Sequence, residues 1–112
     1  MAIEAQVWGE VRVARQVLST IVINTALLIP GVSRMAQIGD QKARLLGREV
    51  PGQGVSLSIK ENTVSADLYI VVSSGVNIVE VGTAVQEEVA SAIEEMVGMH
   101  VKEVNVYIQD VA

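Results

Sequence analysis

Residues 77–98 read NIVEVGTAVQEEVASAIEEMVG and carry the clearest helical pattern in the chain. At 100° per residue the apolar side chains fall on one stripe, and glutamates fall on the opposite side. The stripe consists of Ile78, Val81, Val85, Val89, Ala92, Ile93 and Met96. Asn77 is a residue type that caps helix N-termini, and Gly98 is typical of a helix end. The pattern predicts an amphipathic helix over residues 78–97 that buries one face.

Alternating apolar and polar residues on both sides of this helix predict strands. Before it, residues 55–60 and 64–72 alternate around a polar turn at residues 61–63, which is typical of a β-hairpin. After it, Val104, Val106 and Ile108 alternate with Asn105, Tyr107 and Gln109. The sequence therefore predicts a hairpin before the helix and a last strand after it.

A first helical pattern covers residues 14–28 and ends at Pro30-Gly31, because proline cannot continue a helix. Short extended segments precede and follow it, at residues 7–13 and 32–38. The side chains of Val17, Ile21 and Leu28 share one stripe of this helix. Three others project from roughly the opposite side: Ile23, Ala26 and Leu27.

A helix that is apolar nearly all round is usually buried on both faces. Either the N-terminal segment or the long loop covers the second face, or Ile23, Ala26 and Leu27 form a self-association or partner surface, since exposed apolar patches mark interaction sites. A second candidate patch lies on the predicted sheet face away from the helices. It consists of Tyr69, Val71 and Tyr107.

The order of these elements is β-α-β-β-β-α-β. Each helix must bury its apolar stripe on another layer. We therefore predict an α+β fold, a two-layer sandwich in which both helices pack on one face of a mixed sheet. The 112 residues are expected to form a single domain over residues 1–112.

Composition argues for a protein that binds rather than reacts. The chain has no cysteine, and its only histidine, His100, lacks a spaced nucleophile or carboxylate partner, so we predict no catalytic residues, no metal site and no cofactor. The formal net charge of −5 works against binding of nucleic acid phosphates, and three aromatic residues offer little surface for base stacking.

Positive charge is concentrated in one stretch. Arg34, Lys42, Arg44 and Arg48 lie in or beside the principal loop, residues 37–54, which is expected to hold at most a helical turn near residues 42–46. One interpretation of these basic residues is a weak anion-binding site, and the other is a loop whose charges are solvated. The alternative function is accordingly a regulatory module that binds a ligand or nucleic acid through residues 34–48.

The glutamates of the second helix also have two interpretations. Glu87 and Glu94 are two helical turns apart, about 10 Å, which is too far for shared coordination of a cation. A solvated polar face is the simple interpretation of these residues together with Glu80, Glu88 and Glu95. Docking of a basic partner is the other.

No segment has the pattern of a membrane span or a signal peptide. The most apolar run, residues 17–29, is shorter than the roughly 20 residues that a spanning helix needs. The N-terminus has no basic region followed by an apolar stretch. We therefore expect a cytoplasmic protein without direct membrane insertion.

Several ordered motifs spread over nearly the whole chain resemble one protein family. They are GEVRV at residues 9–13, PGVSRM at 30–35, DLYIVV at 67–72 with Gly75 and Asn77-Ile78, VQEEV at 85–89, IEEMVG at 93–98 and VNV at 104–106. In this order they resemble the alkaline shock protein family of bacterial envelope-stress proteins. The chain departs from that pattern at Ser74 and Val97, and it lacks the long charged tails of some members.

The resemblance implies a small, non-enzymatic, cytoplasmic bacterial protein of the envelope stress response. It also implies self-association into a homo-oligomer, and association with the membrane through a separate membrane-anchored relative. Some relatives are linked to control of fatty-acid synthesis, which implies an enzyme of lipid synthesis as a further alternative partner of residues 34–48. No catalytic residues are carried over from the family.

Overall fold

The computed structural model describes residues 2–5, 9–37 and 52–112, with side chains from residue 11 onward. Within these ranges the chain forms six strands and two helices. In chain order they are β1 (Ala2–Ala5), β2 (Gly9–Arg12), α1 (Arg15–Leu27), β3 (Val32–Met35), β4 (Val55–Lys60), β5 (Thr63–Val72), α2 (Ile78–Ala92) and β6 (His100–Val111). A short 3₁₀ turn, Gly52–Gly54, precedes β4, and a π-helical turn, Ile93–Val97, extends α2.

The central strand of the main sheet is β5. It pairs antiparallel with β4 through the predicted hairpin, antiparallel with β3 near its C-terminal end, and parallel with β6 along its whole length. Because a strand has two edges and β6 occupies one of them, β4 and β3 follow one another along the other edge. The sheet is therefore mixed, as predicted.

Both helices cover one face of this sheet. Alternate residues of β5 point to that face, from Val64 to Val72, and each is fully buried in a core shared with Leu18 of α1 and Val85 of α2. Since successive residues of a strand point to opposite faces, the residues between them form the other face. The predicted α+β two-layer sandwich with both helices on one face is confirmed.

The second helix follows its prediction except at the ends of the stripe. Asn77 caps it, with its side-chain oxygen accepting from the Glu80 backbone N–H at 3.1 Å. The middle of the predicted stripe is buried, but Ile78 and Met96 are exposed, so their assignment to the core is wrong. In the π-helical turn Gly98 N donates to the carbonyl of Ile93 at 3.1 Å. The wider turn rotates Met96 outward and brings Val97 to the core.

The first helix buries a different stripe from the one predicted. Leu18, Val22 and Ala26 are its buried residues, spaced by four, whereas Val17 and Leu28 are exposed. The prediction that Ala26 projects away from the core is therefore wrong. The reason is that apolar residues surround this helix on most sides, so its sequence pattern does not select one stripe.

The N-terminal region adds a strand that was not predicted. The extended segment at residues 7–13 is represented by β2, which pairs antiparallel with β1 in a separate two-stranded sheet. The strand predicted over 32–38 is observed from Val32 to Met35. The helical turn predicted near residues 42–46 lies outside the described residues.

One glycine is required where the 3₁₀ turn meets the sheet. Gly54 has φ of +75°, and a Cβ at this position would lie 2.8 Å from the Tyr69 carbonyl oxygen and 2.9 Å from that of Ala36. Both contacts are with backbone atoms, which cannot rotate away. The absence of a side chain therefore allows the turn to approach the end of β3 and the middle of β5.

Candidate functional site

The structure separates the three residues that were grouped on the first helix. Ala26 is fully buried in the core, and Ile23 is partly buried and packs against the core. Leu27 is exposed at the last position of α1. Only Leu27 of this group is thus largely available to another molecule.

The second predicted patch lies on the sheet face away from the helices, but its members mainly contact one another. Tyr69 and Tyr107 are directly paired in the parallel ladder, and their rings stack with centroids 4.8 Å apart and an interplanar angle of 20°. Tyr69 and Val71 are buried together with Ala36, and Tyr107 is partly buried against them. Beside the stack, Asn105 Nδ2 donates to Asp67 Oδ1 at 2.9 Å.

A groove of 320 Å³ brings together residues from two different predicted sites. Ile23 and Leu27 of the predicted apolar surface line it with Arg34 of the predicted anion site, beside Met35 and Ala36. The Arg34 guanidinium donates to the backbone carbonyl of Met35 at 3.2 Å.

The remaining basic residues of the predicted anion site, Lys42, Arg44 and Arg48, lie outside the described residues. An anion site over residues 34–48 therefore stays a prediction.

The most exposed aliphatic residues at one end of the molecule were not predicted to form a surface. Leu28 and Val79 are 81% and 76% exposed, and Leu27 and Ile78 beside them are also exposed. We refer to Leu27, Leu28, Ile78 and Val79 as the terminal apolar patch. It combines the last turn of α1 with the first turn of α2.

The two halves of this patch are held at the same end by the turn after α1. A Cβ on Gly31 would lie 2.6 Å from Val81 Cγ2 and 3.5 Å from Val76 Cγ1, so this turn lies close to the first turn of α2 and to the residue that precedes its cap. In addition, the backbone N–H of Ser73 donates to the Gly31 carbonyl at 2.8 Å. The end of α1, the end of β5 and the start of α2 are thereby connected.

A sequence signal for the patch existed in the helix boundaries. Ile78 directly follows the capping residue Asn77, and Leu28 directly precedes Ile29-Pro30, where the helix has to stop. In the structure both residues lie at helix ends and are exposed. The helical projection assigned Ile78 and Leu28 to core stripes because it ignores position along the helix.

Two further properties concern the described residues only. No group of three or more histidine, cysteine, aspartate or glutamate side chains is placed there to hold a metal ion. Among the helices of those residues, none is both long and apolar enough to cross a bilayer. The single histidine, His100, is exposed at the first residue of β6.

The fold and surface define a small α+β sandwich protein with an apolar patch at one end. Residues 4–112 match the alkaline shock protein 23 family, whose function is described as cell envelope-related. The chain belongs to this family, which confirms the resemblance found in its motifs.

Relatives in two bacteria are similar over nearly the whole chain. The uncharacterized protein YloU of Bacillus subtilis is 30% identical over 99% of this chain and 96% of its own length. The uncharacterized protein Spy1614 of Streptococcus pyogenes is 35% identical over 92% of this chain and 88% of its own. Membership of the family thus rests on the family match and on relatives that align with most of the chain.

Solved structures with a similar fold include variants of MamM-CTD. A histidine-to-alanine variant has a TM-score of 0.61 at 15% identity, with 87% of this chain and 98% of that chain covered. A triple variant has a TM-score of 0.60 at 15% identity, with 85% and 93% covered. At this level of identity the similarity concerns the fold alone.

Proposed function

We propose that this chain is a non-enzymatic assembly protein of the cell envelope that acts by self-association through the terminal apolar patch. The observation that supports it most is the exposure of the large aliphatic side chains of Leu28 and Val79 to solvent. Large aliphatic side chains grouped at one end lose contact with water when a second copy covers them, which is favourable by about 25 cal/mol per Å². Membership of a family with a cell envelope-related function supports the proposed role at the cell envelope.

A symmetric dimer suits this patch. In a two-fold interface the same residues face one another, so each Leu28 and Val79 would meet apolar side chains of the other copy. In the same proposal the protein acts in the cytoplasm and reaches the membrane through a membrane-anchored relative. Its lack of catalytic activity is likewise part of the proposal.

Light scattering with matched variants tests self-association. We expect the molar mass of the unmodified chain to rise with concentration, and Leu28→Asp to shift this rise to concentrations about 100-fold higher. A buried unpaired carboxylate costs several kcal/mol, and about 2.7 kcal/mol is a factor of 100 in affinity. Val17→Asp is the control, because Val17 is an exposed apolar residue near the start of α1, away from the patch.

Equal effects of Leu28→Asp and Val17→Asp would contradict the proposed surface, and a molar mass that stays monomeric at every concentration would contradict self-association. Circular dichroism of each variant separates loss of assembly from loss of folding. Ile23→Asp is unsuitable as a test, since Ile23 packs against the core.

A further inference from the structure

A second groove lies between α2 and β6 and has a volume of 380 Å³. Its lining residues belong to these two elements and to the π-helical turn that extends α2. Its apolar lining consists of Ala90, Val101 and Val104, and its acidic lining consists of Glu87, Glu94 and Glu103. The groove therefore offers an apolar surface bordered by carboxylates, at the β6 side of the sheet.

The strand that forms one wall of this groove has a free edge within the described part of the chain. There β6 pairs with β5 and with no other strand. In a parallel ladder, alternate residues direct their N–H and C=O groups to the partner strand, and the residues between them direct theirs away. The outer edge of β6 therefore presents donors and acceptors to which a further strand can be added.

One contact shows that the backbone of β6 is within reach of a hydrogen-bond donor in the groove. Gln86 lines the groove from α2, and its Nε2 donates to the backbone carbonyl of Val104 at 3.0 Å. A backbone N–H of an added strand is the same kind of donor. The groove can thus combine backbone hydrogen bonds with contacts to its apolar lining, which is the combination used in strand addition.

The charges around the groove favour a basic occupant. The groove is lined by three carboxylates, on Glu87, Glu94 and Glu103, and by one ammonium group, on Lys102. Pairing of β6 with β6 of a second copy would bring these carboxylates near their own equivalents, and like charges across strands are destabilising. Lysine or arginine side chains of a different protein meet no such repulsion.

We propose that this groove binds an extended segment of a partner protein that adds to β6 as a further strand. Every second side chain of this segment faces α2, and this set is aliphatic in the middle and basic at both ends. The aliphatic side chains contact Ala90, Val101 and Val104, and the basic side chains meet Glu87 and Glu94. These two glutamates are two helical turns apart, about 10 Å. Side chains four residues apart in an extended chain lie on the same face about 13 Å apart, a difference that the length of lysine or arginine side chains accommodates. The inference does not depend on the terminal apolar patch.

Fluorescence anisotropy with short labelled peptides tests the proposal. The probe is a seven-residue peptide with lysine at positions 2 and 6, valine at position 4 and threonine elsewhere, with both ends blocked, so that the lysines and the valine lie on one face. We expect it to bind the full chain, and Glu87→Lys with Glu94→Lys to weaken binding at least tenfold. The matched control is Glu88→Lys with Glu95→Lys, which makes the same charge change one residue along on the same helix, outside the groove. This control is expected to keep binding within about threefold.

Two further peptides separate strand addition from simple charge attraction. The same peptide with glutamate in place of both lysines is expected to bind at least tenfold more weakly than the lysine peptide. The lysine peptide methylated on alternate backbone nitrogens keeps its charge but loses hydrogen-bond donors, and we expect at least a tenfold loss for it too. Hydrogen exchange should show new protection of amides within residues 101–108 when the unmodified peptide binds.

The proposal is overturned by equal losses in the two double variants, by undiminished binding of the methylated peptide, or by protection confined to other residues. Thermal unfolding of each variant confirms that it is folded before binding is measured. Repeating the titration with Leu28→Asp keeps self-association out of the result, so the outcome is independent of the proposed function.

Discussion

At the scale of single residues, Gly54 is the clearest example of a position that the backbone geometry restricts to glycine. Gly54→Ala is expected to lower the free energy of unfolding by about 1 to 3 kcal/mol, because the new Cβ meets two carbonyl oxygens and φ is +75°. Urea denaturation measures this. Gly52→Ala is the control, since a Cβ on Gly52 has no atom within 4 Å, and its effect should stay within about 0.5 kcal/mol. Equal effects of the two variants would show that the close approach is unimportant.

Gln109 is a buried polar residue whose effect on the free energy of unfolding can be measured. Its side chain is 3% exposed, and Oε1 has no hydrogen-bond partner among the described residues. It lies in β6 between Ile108 and Asp110, where the pairing with β5 shifts by one residue.

We expect Gln109→Met to raise the free energy of unfolding by about 1 kcal/mol, because the volume is kept and an unsatisfied oxygen is removed. Gln86→Met makes the same chemical change at a residue that does donate a hydrogen bond, to Val104, and should lower stability instead. A loss of stability from Gln109→Met would mean that the amide is satisfied in solution.

At the scale of elements, the start of α2 depends on its cap. Asn77→Ala is expected to lower the free energy of unfolding by about 1 kcal/mol, since it removes the acceptor for the Glu80 N–H. Asn77→Asp keeps an acceptor and should retain most of the stability. Chemical denaturation of the three proteins side by side checks the order, and similar stability of the alanine and wild-type proteins would exclude a stabilising cap.

The pairing of β5 with β6 places the two tyrosines in contact, and a double-mutant cycle measures their coupling. Stacked aromatic pairs contribute about 0.5 to 1.5 kcal/mol beyond the area they bury. We therefore expect a coupling energy in that range between Tyr69→Leu and Tyr107→Leu. Additive effects of the two substitutions would contradict a stabilising stack.

The elements of this fold differ in how well the sequence predicts them. The hairpin and α2 were predicted closely because in each the apolar residues that face the core recur at the regular spacing of a strand or a helix. The buried stripe of α1 was missed because apolar residues surround that helix. Burial of Tyr69 and Val71 on the far face could not be predicted either, since it depends on the parallel register with β6 and on Ala36.

At the scale of the whole molecule, strand order and surface exposure come from long-range pairing that periodicity does not encode. The sequence predicts a mixed sheet. That β4 and β3 both pair with the same edge of β5 is known only from the register of the strands in the structure. The same limit applies to the candidate site. Leu27 was predicted to be at the surface, while Leu28 and Val79 became evident only once the ends of the two helices were placed together.

Self-association through the terminal apolar patch is tested most directly by sedimentation velocity of the unmodified chain and of Leu28→Asp with Val79→Asp. Over a hundredfold dilution series, the unmodified chain should change from a dimer or larger species to a monomer, because apolar burial drives an equilibrium that dilution reverses. The double variant should sediment as a folded monomer throughout the series. A double variant that associates as strongly as the unmodified chain, or an unmodified chain that is monomeric at every concentration, would contradict this mode of assembly.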